Sequence, residues 1–302
     1  MNICVIGALG FIGSNLMNEL RKTNHMVVGV DDLRFGYESN LESNGVFIED
    51  YNLLDSDFLN DFDCIVFMAT SNIIYAMEKP VETFINNSLN ALSLFSRYGG
   101  KIVYTSTSSV YGNATEIPTT EFADVNCSNA YDTSKRIGEQ FLLERGNATI
   151  LRLSNTFGIN QRPENPYCGA IGRMIDRVLH NESIEIYGDG TQTRDFNYVS
   201  NVTDAIIKAI ELPAIKDPIN IASGKEIAIK DLATMISKII NQPTSLKYIP
   251  ERKIDLTVKR RCLDITRAKK LLGWIPKVSL EDGLKKTIEW HEKENIKKDA
   301  NS

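Results

Sequence analysis

Residues 1–20 read MNICVIGALGFIGSNLMNEL, and this stretch decides the fold. The apolar run Ile3–Ile6 predicts a buried strand, GALGFIG at residues 7–13 predicts a turn, and Phe11–Lys22 follows with a helical pattern. The glycines of the turn allow a sharp bend, the close approach of a pyrophosphate and tight packing of helix against strand. Free N–H groups at the start of the helix attract phosphate. The stretch therefore predicts a dinucleotide-binding strand, turn and helix.

The alternation of short apolar runs and helical patterns continues along the first half of the chain. Further strands are predicted at Val27–Val30, Val46–Ile48, Ile65–Ala69, Ile102–Tyr104 and Ile150–Leu153. Further helices are predicted at Val81–Tyr98 and Tyr131–Glu144. Strands that alternate with helices form parallel sheets covered by helices on both faces. The predicted fold class is therefore α/β, with a Rossmann doubly wound parallel sheet.

The pattern changes after about Asn155. Helices continue, but the strands become short and lie between loops, and no Gly/Ser linker separates the two halves. Helices are predicted here at Ile171–Leu179, Asn201–Glu211, Ile229–Ile240 and Leu280–Trp290. We predict a Rossmann domain over residues 1–155 and a smaller C-terminal α/β substrate lobe over residues 156–302, of which some segments are free to return to the Rossmann domain.

Charge and composition disfavour several classes of protein. The net charge of −5 over 302 residues gives no basic footprint for nucleic acid. No apolar run approaches the roughly 18 residues of a membrane span, and the first residues lack the basic start of a signal peptide. Five cysteines without CxxC spacing fit a reducing cytoplasm, and the three scattered histidines predict no metal site. We expect a cytoplasmic protein that binds a small ligand.

Asp31 ends the second predicted strand, where a carboxylate can accept hydrogen bonds from an adenosine ribose. The same charge would repel a 2′-phosphate, so NAD is favoured over NADP. Asp31 or its neighbour Asp32 can alternatively cap a turn, and the two roles are compatible.

Candidate residues for a general base and its partners lie after two later strands of the predicted sheet. Thr107 closes a Ser/Thr-rich strand end, and Tyr131 and Lys135 stand four residues apart, which places them on one face of a helix. A free tyrosine has a pKa near 10 and a useful base one nearer 7, a difference of about 4 kcal/mol. The Lys135 cation and a positive nicotinamide ring could supply that difference. A bare Tyr-x-x-x-Lys is common on helix surfaces, so the interpretation depends on the glycine turn and the strand end.

Taken together, the motifs resemble those of the extended short-chain dehydrogenases/reductases, in the NAD-dependent epimerase/dehydratase family. The resemblance covers nearly the whole chain. It includes RLSNTFG at residues 152–158, GDGTQTRDF at residues 188–196 and LGWIP at residues 272–276, the last of which we expect to be structural. The resemblance implies NAD as the cofactor and a nucleotide-diphosphate sugar as the substrate.

The resemblance also implies a role for individual residues. Thr107, Tyr131 and Lys135 would be catalytic. Asn155 would touch the substrate, and the guanidinium groups of Arg194 and Arg261 would clamp its diphosphate, with Arg260 as the alternative to Arg261 and a surface ion pair as the alternative role for Arg194 and Arg261. The implied cofactor-binding residues are Gly7, Gly10, Phe11, Ile12, Gly13, Asp31, Asp32, Asn52, Leu53, Ala69, Asn87, Tyr131 and Lys135. Asn52 departs from the family, which usually has an aspartate at the adenine.

The residues after Thr107 favour one reaction of the family. Dehydratases and decarboxylases of the family carry a glutamate two residues after the threonine, whereas this chain has Ser108 and Ser109 and so no carboxylate there for a second proton. The reductases usually prefer NADPH, against which Asp31 argues. The expected activity is 4-epimerisation of a UDP-hexose or UDP-N-acetylhexosamine through a 4-keto sugar. A dehydratase, a 4-ketosugar reductase and, more distantly, a non-catalytic NAD-binding protein stay open.

Members of the family usually pair through two helices, so the resemblance implies a homodimer. The corresponding helices are Val81–Tyr98 and Tyr131–Glu144. Apolar Phe84, Leu92 and Phe95 on the first helix are the sequence feature that suggests an interface, and burial of these side chains inside one subunit is the competing account.

Overall fold

The computed structural model describes residues 1–41, 45–52, 54–251 and 258–301. Its strands are β1 Asn2–Ile6, β2 Met26–Asp31, β3 Val46–Ile48, β4 Cys64–Phe67, β5 Lys101–Thr107, β6 Ala148–Leu153, β7 Asn155–Phe157, β8 Ile184–Tyr187, β9 Thr193–Tyr198, β10 Ile219–Ile221, β11 Glu226–Ala228 and β12 Leu246–Ile249. Its α-helices are α1 Phe11–Leu20, α2 Ser56–Asn60, α3 Ile73–Glu78, α4 Pro80–Phe84, α5 Ala91–Arg97, α6 Ala130–Arg145, α7 Ala170–Leu179, α8 Val199–Glu211, α9 Ile229–Ile240, α10 Thr266–Leu272 and α11 Leu280–Asn301.

A seven-stranded parallel sheet forms the centre of the molecule, in the order β10-β6-β5-β4-β1-β2-β3. The predicted Rossmann α/β class is confirmed. The strands of such a sheet are buried on both faces, and this is why they appear in the sequence as continuous apolar runs. All four residues of β4 are fully buried, for example. One core lies under α1 and α8, and the other under α5 and α6.

The second half of the chain contributes to two parts of the fold, a smaller lobe and the edge of the large sheet. A three-stranded sheet in the order β11-β9-β7 and a two-stranded sheet of β12 and β8 pack with α7, α9 and α11 around a third core. In contrast, β10 pairs with β6 at the edge of the large sheet. The division into two domains at residue 155 stays a prediction. Strand β10 lies beyond this residue in the sequence but belongs to the Rossmann sheet.

The helix predicted over Val81–Tyr98 is present, but a π turn over Ile85–Asn90 divides it into α4 and α5. Such turns insert an extra residue and often occur at functional sites. Here the turn directs Asn86, Asn87 and Ser88 into the buried interior. The helical period of the sequence does not indicate that the π turn changes which residues face the interior.

The apolar side chains that suggested an interface on this helix differ in burial. Phe95 is fully buried in the second core, Leu92 packs against the same core, and Phe84 is partly buried. Burial inside one subunit therefore accounts for Phe95, and the homodimer stays a prediction. The exposed apolar side chains nearby are Val81, Ile85 and Leu89.

Candidate active site

The turn after β1 has the shape that a dinucleotide needs. Gly7 has a φ of +88°, and a Cβ there would lie 2.7 Å from the backbone nitrogen of Ala69. A Cβ on Gly13 would lie 1.9 Å from the Gly7 carbonyl oxygen, so neither position accepts a side chain. Helix α1 begins at Phe11, and no side chain caps the N–H groups of its first turn. This cradle fits a pyrophosphate.

Asp31 lies at the end of β2 and is 8% exposed. Its Oδ2 accepts the Leu9 N–H at 2.9 Å and its Oδ1 accepts the Leu33 N–H at 2.9 Å, so the carboxylate does hold turns together. Burial raises its pKa, and these hydrogen bonds oppose the shift. The carboxylate lines a small cleft of about 80 Å³ together with Gly7 and Ala69. Capping and ribose binding are compatible here.

The other residues predicted at the adenosine end differ in their placement. Asp32 lines the same cleft, where its carboxylate pairs with Arg34 at 3.3 Å. Asn52 lines neither this cleft nor the main cavity, because its amide donates to Asp50 Oδ1 at 2.8 Å. Leu53 lies outside the described residues.

A cavity of about 590 Å³ extends from the glycine turn to the smaller lobe. It brings together most of the predicted site, because cofactor and substrate residues line the same space. The predicted residues that line it are Gly7, Gly10, Phe11, Ile12, Gly13, Thr107, Tyr131, Lys135, Asn155, Arg194 and Arg261.

Helix α6 carries the predicted base and its lysine. Asn129 caps the helix, since its side chain accepts the Asp132 N–H at 3.0 Å, and Tyr131 and Lys135 follow on one face. Burial raises the pKa of Tyr131 to about 12, although Thr107 and the charge of Arg261 act in the opposite direction. The protein alone therefore does not lower the pKa of Tyr131, as the sequence led us to expect for the active enzyme.

The lysine is also shifted by burial. Lys135 is almost fully buried, with its ammonium 4.4 Å from the ring centre of Tyr104. Burial lowers the pKa of Lys135 to about 7, and the charge of Glu139 opposes the shift. Glu139 is itself held by Arg152 at 2.7 Å, so the helix face below the site rests on a buried ion pair.

Asn87 lies in the π turn, and both the nitrogen and the oxygen of its side-chain amide form hydrogen bonds with other protein groups. Its Nδ2 donates to the Ser71 carbonyl at 2.9 Å and to Ser134 Oγ at 3.1 Å, and its Oδ1 accepts the Ser71 N–H at 2.7 Å and the Asn86 amide at 3.1 Å. It thereby ties the loop after β4 to α6, one residue before Lys135. The geometry favours an indirect effect of Asn87 on the nicotinamide end.

Two arginines from the C-terminal half of the chain line the cavity. Arg194 lies on β9, and Arg261 lies in the segment before α10. Burial and the charge of Arg194 lower the pKa of Arg261 to about 10, so two like charges lie close together here. Such a pair favours a doubly anionic ligand. Arg260 is ion-paired with Glu226 at the surface and does not line the cavity.

Four buried polar atoms around the cavity have no hydrogen-bond partner of ordinary geometry in the described structure. Buried polar groups are normally paired, so we expect ordered water or a ligand to complete the hydrogen bonding of these atoms. They are Asp132 Oδ1, Ser154 Oγ, Gln161 Oε1 and Gln192 Oε1. The sequence reasoning did not identify these residues, although Gln192 falls within the GDGTQTRDF motif.

Other motif residues hold the fold. Asp195 is fully buried and accepts backbone N–H groups from Ser223 at 2.9 Å and Gly224 at 3.1 Å. Asn201 accepts the Val278 N–H at 2.9 Å, and its own carbonyl accepts the indole N–H of Trp274 at 2.9 Å. The LGWIP segment is therefore packed as a structural element, as expected.

Two features are absent from the part of the chain that the structure describes. It contains no group of three or more histidine, cysteine, aspartate or glutamate side chains placed to hold a metal ion. Within the same residues, no helix is both long and apolar enough to span a bilayer.

The sheet, the glycine cradle and the shared cavity define the class of NAD-binding Rossmann enzymes. The model of the NAD dependent epimerase/dehydratase family matches residues 3–222, and the chain belongs to this family. Its cofactor is therefore NAD, for which the cradle and Asp31 are suitable.

Relatives within the family carry more than one activity. The chain is 32% identical to a protein of Methanocaldococcus jannaschii described as a putative UDP-glucose 4-epimerase, over 97% of this chain and 99% of the relative. It is 31% identical to UDP-glucuronic acid decarboxylase 1 of Danio rerio, over 97% of this chain and 73% of the relative. Among solved structures, UDP-glucose 4-epimerase of Thermotoga maritima with UDP-glucose superposes with a TM-score of 0.91 at 29% identity, over 98% of this chain and 100% of that one.

Proposed function

We propose that the chain is an NAD-dependent nucleotide-sugar 4-epimerase that acts on a UDP-hexose or a UDP-N-acetylhexosamine. The observation that carries the proposal is the shared cavity, which Thr107, Tyr131 and Lys135 line together with the glycine cradle and a pair of arginines. The likeness to the epimerases of Methanocaldococcus jannaschii and Thermotoga maritima supports the reaction and the uridine nucleotide.

In this proposal the cradle, Asp31 and Lys135 would hold NAD, which would supply the hydride acceptor and donor for C4 of the sugar. The protein handles the proton. The ionised phenol oxygen of Tyr131 removes the proton of the C4 hydroxyl and later gives it back. Thr107 hydrogen-bonds the same substrate oxygen. The protein thus supplies geometry and electrostatics around chemistry that belongs to the cofactor.

Inversion at C4 requires that the sugar present both faces while the nucleotide stays in place. Arg194 and Arg261 line the same cavity close to each other, and two guanidinium groups placed in this way can clamp a diphosphate through charge-assisted hydrogen bonds. Asn155, which follows β6, would contact the substrate between the clamp and Tyr131. A firm grip on the diphosphate leaves the sugar free to turn.

The rival reactions of the family differ in their products. Ser108 and Ser109 disfavour a dehydratase or decarboxylase. The relative from Danio rerio is a decarboxylase, so this reaction has to be tested as well. A panel of UDP-sugars incubated with the NAD-loaded protein separates the candidates by mass and NMR. An epimerase gives a product of unchanged mass, a dehydratase loses water and a decarboxylase loses carbon dioxide. A 4-ketosugar reductase would show a net change in NADH absorbance.

We further propose a homodimer in the cytoplasm. The exposed side chains of Val81 on α4, Ile85 and Leu89 in the π turn and Ile137 on α6 are 69%, 44%, 64% and 36% exposed, and we call them the apolar strip. The strip lies on the two helical segments through which members of the family usually pair, and α4 packs on α6. All five cysteines are free, which agrees with a reducing compartment.

A further inference from the structure

Two loops from different halves of the chain line the main cavity and contact each other. We call residues 33–41, which lie after β2, the strap, and residues 158–169, which connect β7 to α7, the facing loop. Phe35 of the strap and Tyr167 of the facing loop both line the cavity. Their rings pack edge to face with the ring centres 5.3 Å apart. The two halves of the chain therefore meet at the wall of the cavity.

The strap is anchored on the glycine turn. The Leu9 carbonyl accepts the Tyr37 N–H at 3.1 Å and the Asn40 amide at 3.1 Å. A Cβ on Gly36 would lie 2.8 Å from Leu9 Cβ and 2.7 Å from Asp31 Oδ1, so the strap packs closely against both residues. The strap is thus part of the wall around the expected pyrophosphate position.

Phe35 lines both of the spaces that are suited to the cofactor. It borders the small cleft that contains Asp31, and it borders the main cavity, as Gly7 and Gly10 of the cradle also do. A dinucleotide with its adenosine ribose at Asp31 and its pyrophosphate on the glycine turn would therefore run alongside Phe35.

A cluster of three aromatic rings holds this part of the strap. Tyr75 of α3 packs edge to face with Phe35 at 5.1 Å and with Tyr167 at 5.3 Å between ring centres. The backbone is held as well, since the Asn165 amide donates to the Phe35 carbonyl at 3.4 Å and the Asn72 amide donates to the Tyr167 carbonyl at 2.9 Å. Edge-to-face contacts of this kind stabilise an arrangement beyond the burial of apolar area.

Arg162 of the facing loop forms a second fastening of the strap. Its Nε donates to Asn40 Oδ1 at 2.7 Å, and its Nη2 donates to Ser39 Oγ at 3.1 Å. The guanidinium carbon lies 5.4 Å from the ring centre of Tyr37. Glu294 of α11 pairs with the same guanidinium at 3.2 Å, and the arginine side chain is largely buried. Charge-assisted hydrogen bonds of this kind are stronger than neutral ones.

We propose that the strap and the facing loop form a clasp over the cofactor, and that the clasp must open before NAD enters or leaves the protein. The contacts that close it are the ring pair Phe35–Tyr167 and the bonds from Arg162 to the strap. These contacts join protein to protein, so weakening them lowers the barrier for entry and for exit alike and leaves the affinity for the nucleotide nearly unchanged. The inference goes beyond the proposed reaction, because it concerns exchange of the cofactor.

The test measures the exchange of NADH, which serves as a fluorescent probe, in protein freed of bound nucleotide. Stopped-flow mixing gives the association rate, and displacement by excess NAD gives the dissociation rate. Arg162→Gln should raise both rates by about tenfold or more, because it removes charge-assisted hydrogen bonds. Tyr167→Ala should raise both by about threefold or more, because it removes a ring from the cluster. The Kd should change little in either variant.

Two matched variants control for the substitutions themselves. Tyr167→Phe keeps the ring and removes only the hydroxyl group. Arg177→Gln removes another arginine that lines the cavity but pairs with Glu185 at 3.0 Å, at the start of β8 and outside the clasp. Both controls should exchange NADH at the wild-type rates. Melting temperatures above the assay temperature establish that each variant is folded.

Two outcomes would overturn the proposal. One is wild-type exchange rates in either Arg162→Gln or Tyr167→Ala. The other is a faster dissociation with an unchanged association rate and a matching loss of affinity, because these side chains would then be direct ligands of the nucleotide. Tyr167 lies in a loop, so its two variants decide the question if Arg162→Gln does not fold. The exchange needs no sugar, so a failure of the epimerase proposal would be seen separately in the product assay.

Discussion

At the scale of single residues, burial dominates the two groups that would handle the proton. It raises the pKa of Tyr131 to about 12 and lowers that of Lys135 to about 7. Both shifts oppose the charged forms that the mechanism uses. Thr107 and the charge of Arg261 stabilise the phenolate only in part, so we expect the positive charge of bound cofactor to supply the further stabilisation that the base needs. A base of this kind stays inactive until NAD is in place.

Tyr131→Phe tests the base directly, since it keeps the ring and its packing and removes the titrating oxygen. Turnover should fall by at least roughly 10²–10⁴-fold, while folding and NAD binding survive. In the wild type the rate should fall as the pH drops through the Tyr131 pKa of the loaded enzyme, because the base must be ionised. That limb should be absent from the residual rate of the variant. Near-normal turnover by the phenylalanine variant would refute this mechanism.

Neighbouring arginines offer a test of the diphosphate clamp with its own control. Arg261→Ala should weaken UDP-sugar binding by about tenfold or more, because a lost charge-assisted hydrogen bond is worth about 1.5–3 kcal/mol. Arg260→Ala should have little effect, since that side chain pairs with Glu226 at the surface. NAD affinity should be unchanged in both variants. Calorimetric titration with the UDP-sugar and with NAD decides this, and equal losses in the two variants would show that the clamp is misplaced.

At the scale of elements, periodic sequence patterns predict helices and strands. Features that depend on contacts between distant segments of the chain are missed. The apolar runs predict the strands of the large sheet because buried parallel strands need apolar residues on both faces. The four-residue spacing of Tyr131 and Lys135 likewise predicts one helix face. The π turn was missed because one inserted residue leaves no periodic signal. Asp132 was missed because only the fold brings α6 beside the end of β5.

The apolar strip makes a prediction about assembly at the same scale. Leu89→Glu should shift a dimer toward monomer, because it places a charge in an otherwise apolar contact. Met26→Glu is the control, since Met26 is 72% exposed and lies outside the strip. Light scattering at micromolar protein concentration measures the mass of each variant. A monomeric wild type, or an unaffected dimer in Leu89→Glu, would contradict the proposed interface.

At the scale of the whole molecule, the site depends on segments that are far apart along the chain. The glycine cradle, the end of β5, the start of α6, β9 and the segment before α10 all meet at one cavity. Motif matches predicted most of these residues individually, and folding places them in a common space. That space is lined by a pyrophosphate cradle, a base and an arginine pair, which are the groups that a bound cofactor and a diphosphate sugar require.

The most direct test of the central proposal is product analysis by proton NMR, with UDP-glucose and UDP-N-acetylglucosamine supplied separately to the NAD-loaded protein in D₂O. At least one of them should be converted to its 4-epimer until an equilibrium mixture is reached. The product should have unchanged mass, no deuterium should enter any C–H position, and NADH absorbance should show no net change. Loss of water or carbon dioxide, deuterium at C5, or a net change in NADH would contradict the account.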